Sequence, residues 1–228
     1  MSKHLFIALG LLLIATLSLH AQQRRFTVVA PYGGKELKEL GFLDEDGEFQ
    51  KLKWSRSRRS PEYTAPRTND VRLVKPHVNE EGRTEYLPVL DLNWPGNTNQ
   101  ALFVVVQVDG ETPARVMAID DRDETFPLNT LKVLNGIDQT IYALAGDKKF
   151  QLNAGKLSKA FTTEKYFQVD EDAPNPGMPI AVGVNVDGQY DLLYAAGVSV
   201  TPHSRVLCLV LPPKQQGSTR YQARLLIH

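Results

Sequence analysis

Asp120, Asp121 and Asp123 crowd one short segment, and hard oxygen donors at that density are what a calcium ion requires. Asp44, Glu45, Asp46 and Glu48 form a second acidic run, and Asp170, Glu171 and Asp172 a third. None has the spacing of an EF-hand loop. The first run reads as a hairpin turn around Asp46-Gly47 and the third as an acidic loop before Pro174, which leaves Asp120, Asp121 and Asp123 as the calcium candidate, with Arg122 among them as a competing cation. No other cofactor is expected. Zinc and copper sites need closely spaced imidazoles or thiols, and the chain has no His-x-His, Cys-x-x-Cys or His-Glu-x-x-His. Nucleophilic catalysis needs a base beside a nucleophile, yet His77, His203 and His228 lie outside any Gly-x-Ser-x-Gly elbow. Tyr32-Gly33-Gly34-Lys35 lacks the spacing of a phosphate-cradling loop. No catalytic residue is assigned, and binding outweighs catalysis as the expected role.

The residues that suit binding are cationic and aromatic. Lys51, Lys53, Arg56, Arg58 and Arg59 surround Trp54. Such a patch is either a solvated strand and loop or a contact for an anionic surface: lipopolysaccharide, teichoic acid or an acidic glycan. Trp54 and Trp94 lie in polar or Pro/Gly-rich surroundings. An exposed indole serves as a platform for a sugar ring or an anchor for a partner. The alternative is that Trp94 plugs the end of a β-sandwich and Trp54 packs inward. Over the whole chain 26 Lys and Arg balance 26 Asp and Glu, so no global field favours nucleic acid.

The start of the chain sets the expected compartment. Met1-Ser2-Lys3-His4, an apolar stretch over 5–17 and then Ser18-Leu19-His20-Ala21 have the three-part layout of a secretory signal, with cleavage expected after Ala21. The stretch is shorter than the about 20 apolar residues of a membrane-crossing helix, and no later segment approaches that length. The expectation is an exported, periplasmic or extracellular protein with no transmembrane segment in its mature part. The single cysteine, Cys208, lies in the apolar run 206–211, too far from the apolar stretch for a lipid anchor and alone for a disulfide, and reads as a core residue.

The elements that must position these residues read as strands. Apolar residues come in short runs between turn signals at Asp46-Gly47, Asp109-Gly110, Asn135-Gly136 and Asp187-Gly188. The clearest hairpin joins 180–186 to 189–194. Runs 102–106 and 206–211 are continuously apolar, which fits central strands covered on both faces. Further strands are expected at 26–30, 49–54, 71–74, 86–92, 115–119, 130–134, 140–144, 149–152, 166–169 and 221–227. Helix is limited to a turn or two at 35–40 and 156–161. The class is all-β, an antiparallel β-sandwich of Ig-like character over 22–228, subdivided, if at all, near 121–126. No motif recurs at a fixed period.

Three stretches, Arg115 to Asp121, Phe126 to Asn135 and Lys149 to Gly155, resemble those of uncharacterised exported β-rich proteins of Gram-negative bacteria. The resemblance implies export and a β fold and carries no activity. Taken together, the expected role is a non-enzymatic binding or assembly module of the cell envelope. Its partner would be an envelope protein or an anionic polymer or glycan, met through Lys51, Lys53, Trp54, Arg56, Arg58, Arg59 and Trp94. A carbohydrate-binding or carbohydrate-active protein with exposed tryptophans is the alternative.

Overall fold

A computed structural model describes residues 23–66, 70–109, 114–167, 177–186, 188–218 and 220–228. The segment expected to be an export signal, 1–21, and the acidic run 170–172 lie outside them. Eight strands come first: β1 (Arg25–Val29), β2 (Gly41–Leu43), β3 (Phe49–Lys51), β4 (Tyr63–Thr64), β5 (Asp70–Val78), β6 (Thr84–Asn93), β7 (Gln100–Val106) and β8 (Arg115–Asp120). Eight more follow: β9 (Thr130–Asn135), β10 (Ile141–Ala145), β11 (Lys148–Leu152), β12 (Phe161–Thr162), β13 (Met178–Val186), β14 (Gln189–Val198), β15 (Arg205–Leu211) and β16 (Gln222–Ile227). They build four mainly antiparallel sheets, ordered β4-β1-β7-β8, β3-β2-β5-β6, β12-β9-β15-β16 and β11-β10-β13-β14. The fold is an all-β sandwich, as the turn-punctuated apolar runs require.

The second eight strands repeat the topology of the first. Adding eight to each strand number converts the first pair of sheet orders into the second. The match extends to register. β1 runs parallel to β7, and β9 runs parallel to β15. The β5–β6 hairpin shifts register after Leu73, and the β13–β14 hairpin shifts at the equivalent place after Val182. Ser60 accepts the Val28 N–H at 2.9 Å, and Ser158 accepts the Val133 N–H at 2.9 Å. Each serine hydroxyl then donates to the carbonyl of the next residue, Pro61 or Lys159. A repeat that is invisible as a motif is therefore explicit in pairing and hydrogen bonds. What it conserves is burial and strand register, which many apolar residues satisfy equally well.

Period-two alternation distributes the core. β7 sends Ala101, Phe103 and Val105 into the core of the first half, and Leu102, Val104 and Val106 into a second cluster. β15 sends Val206, Cys208 and Val210 into the core of the second half, and Leu207, Leu209 and Leu211 into that same second cluster. The two inner sheets thus share one apolar layer, and each outer sheet closes a core of its own. This is why the runs at β7 and β15 are apolar at every position.

The halves meet with approximate twofold symmetry. Met117 of β8 abuts Gly136 after β9; at the equivalent place Arg224 of β16 donates to the Pro31 carbonyl after β1. Asp109 meets its own equivalent, Lys214, through an N–H to carbonyl bond of 2.8 Å and an ion pair of 3.8 Å. Of the two short helices expected, the structure has a 3-10 turn at Glu36–Glu39; the other turn falls at Glu164–Tyr166 and not at 156–161, and meets the strand expected at 166–169 only at Tyr166. β2, β4 and β12 were not expected. At two or three residues each, they are too short to show a period.

Candidate functional site

The acidic segment sits where β8 leaves the first half, and its carboxylates are taken up by guanidinium groups. Asp120 receives Arg122 Nε at 2.9 Å and Nη2 at 2.6 Å, with the hydroxyls of Thr98 at 2.8 Å and Thr125 at 3.0 Å. The Arg122 guanidinium, helped by Thr98, holds the Asp120 carboxyl well below the usual carboxylate range. Asp121 pairs with Arg59 and lies 3.8 Å from Arg205, which also pairs with Asp123. Arg59, Asp121 and Arg205 are nearly sealed, with side chains 6%, 3% and 7% exposed. Asp120 is therefore paired locally with Arg122, while Asp121 and Asp123 share Arg205, and among the described residues no group of three His, Cys, Asp or Glu could hold a metal ion.

Phe126 completes this junction. The Lys132 ammonium lies 5.5 Å and the Arg205 guanidinium 5.8 Å from its ring centroid. Burial lowers the Lys132 pKa, partly offset by Asp120 and Asp121. His228 stands close enough to feel Arg59 and Arg205; burial first, and then those two cations, lower its pKa. The junction is structural in character: Arg59 from the first half and Arg205 from the second meet at Asp121 in the link between them.

The basic segment divides. Arg59 turns inward to Asp121, whereas Lys51, Lys53, Arg56 and Arg58 are exposed, and among the described residues none of these four forms an ion pair. Their loop is held by Ser55, whose hydroxyl accepts the N–H of Arg58 at 3.1 Å, and by the Tyr63 hydroxyl, which accepts the Lys53 N–H at 2.8 Å. Trp54 and Trp94 are half-buried against the first-half core. Trp94 meets Phe103 edge-on at 5.7 Å, with the Arg24 guanidinium 5.2 Å from its centroid. Both indole N–H groups are buried without a hydrogen-bond partner.

The remaining reactive groups are separated. His77 is exposed on β5, and His203 occupies a turn at φ 63°, its N–H bound to the Asn129 side chain at 2.6 Å. Cys208 is buried in β15, and burial pushes its thiol up to about 12. That thiol stays protonated and unreactive at neutral pH. Tyr32, raised by burial to about 12, donates its hydroxyl to the Pro212 carbonyl.

Sequence reasoning passed over the outer faces of the outer sheets. Each carries an aromatic pair: Phe49 stacked on Tyr86 with centroids 5.3 Å apart in the first half, and Tyr142 edge-to-face with Tyr190 at 6.2 Å in the second. The available signal was alternation, since Tyr142 and Leu144 point away from a core that takes Ile141, Ala143 and Ala145. No family model matches the chain, and no curated protein matches it.

Proposed function

We propose that this chain is a non-enzymatic binding module of the cell envelope, exported to the periplasm or the cell exterior, that contacts an anionic polymer through the loop bearing Lys51, Lys53, Arg56 and Arg58. The supporting observation is the sorting of cations. Arg59, Arg122 and Arg205 are each committed to a carboxylate, while Lys51 at the end of β3 and Lys53, Arg56 and Arg58 in the loop after it are exposed and form no ion pair among the described residues. Unpaired cations on a braced loop attract polyanions by releasing condensed counterions, an attraction that weakens as salt rises.

Retention of residues 22–228 on immobilised lipopolysaccharide or teichoic acid, measured against salt, tests this reading. Retention should fall steeply between low and physiological ionic strength. Replacing Lys51, Lys53, Arg56 and Arg58 together by Ser should abolish it while leaving the melting temperature unchanged. Arg59 stays in place, because its removal would expose Asp121 and confuse folding with binding. Retention indifferent to those four substitutions removes the loop from the account.

A further inference from the structure

The duplicated fold supplies an internal comparison. Pairing register equates Gly41, Phe49 and Tyr86 of the first half with Tyr142, Lys149 and Tyr190 of the second. In the first half Phe49 lies over Gly41 and stacks on Tyr86 at an interplanar angle of 14°, so the chain covers that tyrosine with its own ring. In the second half Lys149 stands where Phe49 would be. The ring has moved to the neighbouring strand as Tyr142, and Gly183 leaves room for Tyr190 to lean across β13. The two tyrosines meet at 69° and form two walls of a cleft of about 540 Å³, completed by Leu144, Lys149, Gln151 and Ala181. Tyr142 is 37% and Tyr190 57% exposed.

We infer that this cleft is a binding site for an acidic sugar, a pyranose ring carrying a carboxylate. Where Phe49 stacks flat on Tyr86 in one half, Tyr142 meets Tyr190 edge-on in the other and leaves a cleft between the two rings, and a pyranose offers the flat C–H surface that aromatic walls take up. A cation in place of the plug supplies charge complementarity for a uronate, since among the described residues Lys149 forms no ion pair whereas Lys148 and Lys165 are both drawn to Asp147. Gln151 and Lys149 join the two tyrosines in lining an open sheet face, which suits a hydroxyl-rich ligand over a purely apolar one. The site lies on the second half and is separate from the basic loop of the first.

Calorimetric titration of residues 22–228 with oligogalacturonate, and with a neutral gluco-oligosaccharide of the same length, tests the assignment. Oligogalacturonate should bind at least tenfold more tightly than the neutral chain. Tyr190→Ala and Lys149→Glu should each weaken it at least tenfold with unchanged melting temperature, and Lys149→Arg should restore it. Phe49→Ala should leave binding unchanged. Three results would each overturn the site: no binding to the unmodified protein, equal binding of the neutral chain, or binding that survives Tyr190→Ala and Lys149→Glu. In the last case, loss in the Lys51, Lys53, Arg56 and Arg58 variant would assign the polymer to the basic loop alone, leaving the proposed function standing without this cleft.

Discussion

At the scale of single residues, stability concentrates in a few polar groups that the fold has sealed. Ser60 and Ser158 do the same work in separate halves, so Ser60→Ala and Ser158→Ala should each cost about 1–3 kcal/mol by orphaning a buried N–H, and the double variant should cost the sum. Chemical denaturation of the three proteins checks this. Asp121→Asn would leave Arg59 and Arg205 buried without their shared carboxylate, a loss of about 3–5 kcal/mol in the same assay. The pH dependence follows from Asp120 and His228, whose folded pKa values are both depressed, by Arg122 above all for the first and chiefly by burial for the second. A depressed group contributes fully above its unfolded pKa and loses that contribution as pH falls through the folded value. Stability should therefore begin to decline below about pH 6.5 as His228 titrates, and more steeply below about pH 4. Asp120→Asn should flatten the second limb, read as melting temperature against pH.

Elements were legible in the sequence in proportion to their length and burial. The runs at β7 and β15 announced covered strands, and the Asp187-Gly188 signal marked a hairpin whose strands pair from Met178↔Val198 to Val186↔Gln189. The ion pairs were not legible. Arg59 reaches Asp121 across 62 positions, a distance at which sequence gives no sign that a basic patch will lose one of its members to the interior. The open cleft was hidden for a related reason, because it exists only when β10, β11, β13 and β14 stand side by side. Two glycines on these sheets should respond differently to a methyl group. A Cβ at Gly41 would overlap the Gln50 carbonyl oxygen as well as the Phe49 ring, and backbone cannot swing aside; one at Gly183 would meet the tip of the Tyr190 side chain. Gly41→Ala should lower the melting temperature severely, whereas Gly183→Ala should cost little stability and displace Tyr190. Thermal unfolding of the two variants distinguishes the cases.

For the whole molecule, the shared layer of Leu102, Val104, Val106, Leu207, Leu209 and Leu211 makes the halves interdependent. A chain ending at residue 124 would present the first three of these to water, and should self-associate or precipitate where the full protein does not, as light scattering would show. The intact protein should unfold in one calorimetric transition with a midpoint independent of protein concentration. A symmetric pair of identical chains would behave otherwise, because dilution separates subunits. Here the link through residues 121–129 keeps each half beside its counterpart at an effective concentration on the order of millimolar. Being tethered, the two copies need not stay alike. One has kept Phe49 as its own plug and the other carries Lys149, an asymmetry that a dimer encoded by a single sequence could not have.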